Sequence, residues 1–172
     1  MRQVLIVSLI AVSLIGCNPS SKKEAEIPFP FQEAKAEMKA ATSAIEKQFV
    51  WEDKVEKKTL STIEWTKEFA PLDSALQTFY ERPDIESKTI EKGDTTIIEY
   101  RPQKSSGSQM VDVKLVDNKL VYLEMTREQT GTFNQTFNRM VLIPAQGWEY
   151  KGKLKVYGLE EKDYRVKVLI VT

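Results

Sequence analysis

The reactive side chains of this sequence are few in kind. Among 172 residues there is one cysteine, Cys17, and no histidine. A lone thiol has no partner for an internal disulfide. Without an imidazole there is no usual general base, no Ser/His or Cys/His pairing and almost no zinc or copper ligand set. Carboxylates, a Ser/Lys dyad or a carboxylate-bound hard cation remain. Lys104-Ser105-Ser106-Gly107-Ser108 sets hydroxyls beside an amine. A lysine acts as a base only where burial depresses its pKa, and a Gly- and Ser-rich run reads instead as an exposed hairpin loop. Glu160, Glu161 and Asp163 offer oxygens to calcium, which takes roughly six to eight of them. Lys162 interrupts the group and the alternating pattern of a calcium loop is missing, so a solvated turn is expected. The 25 acidic residues contain no marked pair for glycoside hydrolysis, whose two carboxyls must lie roughly 5 to 10 Å apart in space. The sequence therefore predicts no catalytic residue, no metal and no cofactor. Trp51, Trp65, Trp148, Phe133, Phe137, Tyr150 and Tyr157 can form a core or line a sugar- or peptide-binding face. Trp148 and Tyr150, expected in a turn after Pro144 and Gly147, are the candidate ligand-binding residues.

Cys17 stands at the end of a recognisable segment. Arg2 precedes an apolar and small-residue run over residues 4–16, followed by Leu14-Ile15-Gly16-Cys17 as its close, which is the order of an export signal. Thirteen residues are too few for a transmembrane helix, which needs about 20. Removing residues 1–16 from 172 leaves 156, with 24 basic and 25 acidic side chains once Arg2 is gone, a net charge of −1. That length suits one domain with its own core. Balanced charge argues against the basic face that a nucleic acid or an anionic membrane surface requires.

Residues 18–30 carry three prolines among polar and charged residues and read as a tether, with Phe29 and Phe31 docking its end onto the domain. Phe31, Ala34, Met38, Ala41, Ile45 and Phe49 recur every three or four residues and predict one amphipathic helix over about 32–50. Ser61-Thr62-Ile63-Glu64 has the spacing of a capping box and predicts a short helix to about Phe69. Pro71 then suits the first turn of another helix that ends at Arg82-Pro83.

From residue 85 the apolar period shortens to two. Residues 85–91 and 95–101 flank Lys92-Gly93-Asp94. A two-residue Gly93-Asp94 loop pairs Ile90 with Ile97, Lys88 with Glu99 and Glu86 with Arg101. Strands 110–116 and 120–127 follow, and a three-residue loop Asp117-Asn118-Lys119 sets Val111, Val113 and Leu115 against Val121, Leu123 and Met125. A strand over 132–143 and a last hairpin of 153–157 with 164–171 complete the pattern. The expected fold is α+β, with N-terminal helices packed on one face of an antiparallel meander of six to seven strands.

Leu14-Ile15-Gly16-Cys17 resembles the signal-peptide end of bacterial lipoproteins. The resemblance implies that Cys17 receives a diacylglycerol, that cleavage precedes it and that its new amino terminus is acylated. Durable anchoring follows from two or three acyl chains. Asn18, where an enteric retention signal has Asp, implies the outer membrane, facing either the periplasm or the surface. The expected organisation is a signal peptide over 1–16, a lipidated tether over 17–30 and one domain over 31–172. Ile63-Glu64-Trp65-Thr66-Lys67-Glu68-Phe69 and the Gly147-Trp148-Glu149-Tyr150 segment also resemble small uncharacterised lipoproteins of the Bacteroidota. The expected role is a binding or assembly module of the cell envelope with a protein or glycan partner and no nucleic acid. A carboxylate enzyme on envelope carbohydrate and a carrier of an apolar ligand are the alternatives.

Overall fold

The computed structural model describes residues 26–52, 54–103 and 109–171. Cys17, the expected signal segment over residues 1–16 and the Lys104 to Ser108 run lie outside the described residues. Helix α1 (Phe31–Ala41) leads into strands β1 (Ala44–Trp51) and β2 (Lys54–Leu60), then helix α2 (Trp65–Tyr80). Seven strands follow: β3 (Ile85–Lys92), β4 (Thr95–Pro102), β5 (Gln109–Val116), β6 (Lys119–Thr130), β7 (Asn134–Ile143), β8 (Gly147–Val156) and β9 (Lys162–Val171). They form one antiparallel sheet of nine strands in the order β2-β1-β9-β8-β7-β6-β5-β4-β3. The meander from residue 85 is thus present, and the sheet is larger than six to seven strands because β1 pairs with β9 and carries β2 with it.

The extra strands come from the segment expected to be helix. The apolar stripe holds as a helix through Phe31, Ala34 and Met38, all buried, and ends where Thr42 turns extended at φ −106° and ψ 120°. Thr42 Oγ1 donates to the Met38 carbonyl at 2.5 Å, closing the last turn. Ile45 and Phe49 lie four apart, a spacing that repeats on one face in both a helix and a strand. The β-branched Thr42, Ile45 and Val50 then favour the strand. β2 is exposed along almost its whole length, and Lys54, Lys57 and Lys58 charge this sheet edge against pairing with another chain.

The expected two helices around Pro71 are one. α2 runs through Pro71, and Phe69, Leu72, Leu76 and Phe79 form an unbroken buried stripe. Burying that stripe offsets the hydrogen bond that proline removes. The capping box does not form. The helix begins at Trp65 with Glu64 as N-cap and no side-chain cap, the Glu64 carbonyl accepting from the Lys67 and Glu68 amides at 2.9 and 3.1 Å.

The β3–β4 register is the expected one, with Ile90 on Ile97, Lys88 on Glu99 and Glu86 on Arg101. The β5–β6 connection is a correction. Its loop is two residues, Asp117 and Asn118, both at positive φ (49° and 59°), as a tight hairpin requires. A bulge then skips Val121, so Leu115 opposes Leu120 while Val113 and Val111 oppose Leu123 and Met125. The bulge supplies the one-residue shift that the longer loop was expected to supply.

Both helices lie on one face of the sheet. Their buried residues meet Val111, Val113, Leu123, Met125, Met140 and Leu142 in one core. α2 crosses this inner face from β8, where Phe69 packs 5.1 Å from Trp148, to β4, where Tyr80 sits edge-on to Tyr100 at 5.3 Å. Lys35 of α1 reaches Asp73 at 2.6 Å, and Lys47 of β1 reaches Glu68 at 2.7 Å, fixing α2 at both sides. Phe29 is buried against Phe31, Tyr80 and Tyr100, so the packed body starts before Phe31. Among the described residues no helix is long and apolar enough to cross a membrane.

Candidate functional site

Helix α2 covers only part of the inner face. Beyond it one row of residues crosses the sheet in register: Gln109, Arg127, Asn138, Gly152, Tyr164 and Trp51, on β5, β6, β7, β8, β9 and β1. Strand alternation puts this row on the side of Val111, Met125 and Met140, and therefore on the helix side. At about 4.8 Å between strands, Arg127 and Trp51 stand roughly 19 Å apart along the row.

Pro71, Ser74, Ala75 and Thr78 recur three and four residues apart on α2, next to its core stripe. With Gln109, Met125, Arg127, Asn138, Met140 and Tyr150 they enclose a cleft of about 270 Å³. Arg127 is the one charged side chain of that lining, and no ion pair engages it among the described residues. The inner face of β5 to β9 carries no carboxylate, and its other cation, Lys162, is paired with Glu52. Gln109 is 6% exposed, and its Nε2 donates at 3.8 Å to the Met125 sulfur, a weak acceptor. A buried amide so poorly satisfied leaves hydrogen-bonding capacity beside the cleft.

The far end of the cleft is aromatic. Tyr150 and Tyr164 both donate to Asn138 Oδ1, at 2.9 and 3.0 Å, and their own oxygens lie 3.1 Å apart. Two phenols on one amide oxygen fix the amide and leave its NH₂ without a hydrogen bond to the described residues. Burial, then the adjacent Tyr164 phenol, pushes the Tyr150 phenol well above its ordinary range, against the opposing charge of Arg127. Tyr150 therefore stays a proton donor at any physiological pH. The Tyr164 ring lies over Gly152, where an added Cβ would come within 2.1 Å of ring carbon Cζ. Trp51 stacks on Tyr164 at 6.2 Å and 22° and remains 52% exposed.

The sequence-based candidates divide. Trp148 and Tyr150 lie in strand β8, not in a turn, because Gly147 already pairs with Ile143 and Leu169. Trp148 joins Trp65 and Phe69 in a stack against the core, whereas Tyr150 lines the cleft. Trp51 and Tyr150 meet through Tyr164. Phe133 and Tyr157 are exposed, 76% and 62%, at one end of the sheet, and Phe137 lies on the outer face. Lys153 binds Glu161 at 2.9 Å and sits 3.6 Å from Asp163, and no acidic cluster suited to a metal occurs among the described residues. Gln109, Arg127, Asn138 and Tyr164 were missed. Their alternation with apolar neighbours gave the face, but only the pairing of five strand partners joins them.

A second depression, of about 290 Å³, lies on the outer face beside Tyr122, Arg139, Glu149 and Lys167. There Glu124 takes two hydrogen bonds from Arg139, at 2.6 and 3.0 Å, and one from Tyr122, so the cation is already satisfied. Arg127 on the inner face is not.

No protein-family profile, no curated protein and no solved structure matches this chain.

Proposed function

We propose that the chain is a lipid-anchored binding module of the cell envelope, held to a membrane through Cys17 and taking its ligand on the open row of the inner face. The observation that supports the ligand-binding half is Arg127, a cation without a carboxylate partner among the described residues, in a cleft whose Tyr150 touches the half-buried Tyr164 ring and through it the exposed Trp51. The anchoring half rests on Leu14-Ile15-Gly16-Cys17 and the chain's single thiol.

Two measurements test the two halves. Full-length protein labelled in cells with an alkyne fatty acid is expected to carry label that Cys17→Ser abolishes, together with retention of the unprocessed precursor. Label on the Cys17→Ser protein would refute anchoring through this residue. Mature lipoprotein in detergent is expected to co-sediment with washed envelope fragments, and Trp51→Ala to reduce that fraction severalfold. Equal sedimentation of the two would refute the row as the binding surface.

A further inference from the structure

Resting on that binding reading, we propose that the row from Arg127 to Trp51 binds a short linear oligosaccharide bearing carboxylates, with an acidic sugar unit at Arg127 and a sugar ring on Trp51.

Three features point to this chemistry. The first is shape. The row spans about 19 Å, from the cleft at Arg127 walled by Ser74, Ala75 and Thr78 of α2, across the half-buried Tyr164 ring that covers Gly152, to the exposed Trp51. An extended chain of rings lies along such a track, while a compact ligand would fill only the cleft.

The second is the alternation of polar and apolar groups. Sugar rings present hydroxyls at their edges and C–H groups on their faces. The row offers amides at Gln109 and Asn138 and phenols at Tyr150 and Tyr164, then an exposed indole face at Trp51. An acyl chain on the same track would strip water from Asn138 and Arg127 and return no hydrogen bond, a cost of about 1 to 3 kcal/mol for each group. A saccharide satisfies them. Asn138 is set for this by the two tyrosines, since its oxygen is occupied and its NH₂ remains to donate to a hydroxyl.

The third is charge. Arg127 carries the single formal charge of the cleft lining, and the inner face of β5 to β9 has no acid to repel an anion. The guanidinium fork matches a carboxylate through two parallel hydrogen bonds, which an ammonium group cannot do. The outer face contrasts with it. There Arg101 is paired with Asp112 at 2.6 Å and Arg139 with Glu124 at 2.6 Å, so the protein neutralises those cations itself.

The test uses the mature lipoprotein in detergent, with tetragalacturonate as the acidic probe and maltotetraose as the neutral one, titrated by calorimetry. The acidic probe is expected to bind at least about tenfold more tightly, the scale of one charge-assisted pair. Arg127→Gln should remove that preference and Arg127→Lys should keep part of it. Trp51→Ala should weaken both probes, and Arg165→Gln, exposed on the outer face, should change neither. Equal affinity for the two probes, or an unchanged preference in Arg127→Gln of native circular dichroism, would overturn the proposal. If neither probe binds while Trp51→Ala still lowers envelope sedimentation, the saccharide assignment falls and the binding reading stands. If sedimentation is also indifferent to Trp51, both fall.

Discussion

One face of one sheet is built in two ways. Under the helices, Val113, Leu123 and Leu142 are at most 1% exposed, and each belongs to the core shared with α1 and α2. Beyond α2 the same strands present Gln109, Arg127, Asn138 and Tyr164, then the exposed Trp51. The difference shows what burial does to residue choice. Where helices exclude water, nearly every side chain is apolar, the buried Lys35 being paired with Asp73, because an unpaired polar group there would cost about 1 to 3 kcal/mol. Where they do not, polar groups such as the Asn138 NH₂ stand without a hydrogen bond to the described residues.

The sharpest way to break this comparison is Phe79→Ala in the covered half. Phe79 is fully buried, and its loss should cost about 3 to 5 kcal/mol in urea unfolding. Gly152→Ala attacks the open half through sterics. The new Cβ would meet the Tyr164 ring, which must move, so a loss of about 1 to 3 kcal/mol is expected together with weaker envelope binding. If Gly152→Ala cost as much as Phe79→Ala, the open half would be core by another name.

Glu124→Gln sharpens the contrast between a satisfied arginine and a free one. Arg139 holds the Glu124 carboxyl below its usual range, so the pair stabilises the fold above that range and the contribution is lost as pH falls through the depressed value. The substitution should cost about 1 kcal/mol at neutral pH and flatten the acid limb of thermal melts. An acid limb identical to that of the native protein would show that the pair carries none of it. Trp51→Ala is the smallest expected change in stability, within about 0.5 kcal/mol, because half of the indole is already in water. A larger loss would move Trp51 from the binding surface into the packed body.

Local chemistry was readable in the sequence. Gly93-Asp94 can sit only in a tight turn, and opposite charges at Lys88 and Glu99 then agree with the pairing seen. The stretch from Ile45 to Phe49 was not readable, since a spacing of four satisfies both periods and the choice belongs to β9, which supplies the strand partner. Pro71 misled for a related reason. A local rule ends the helix, and the shared core of Phe69, Leu72 and Leu76 continues it. Trp148 and Tyr150 looked alike from a distance of two residues. They share a face of β8, but Trp148 falls under α2 and Tyr150 beyond it.

The sequence by itself determined the lone thiol behind an apolar run, the absence of histidine, the charge balance, the antiparallel meander and which residues alternate onto each face. Tertiary structure alone decided the ninefold sheet and the row on it. Alternation is a property of neighbours along the chain, whereas Trp51, Tyr164, Asn138 and Arg127 become neighbours through hydrogen bonds between distant strands. The position of α2 then separates the part of that face that must exclude water from the part left uncovered.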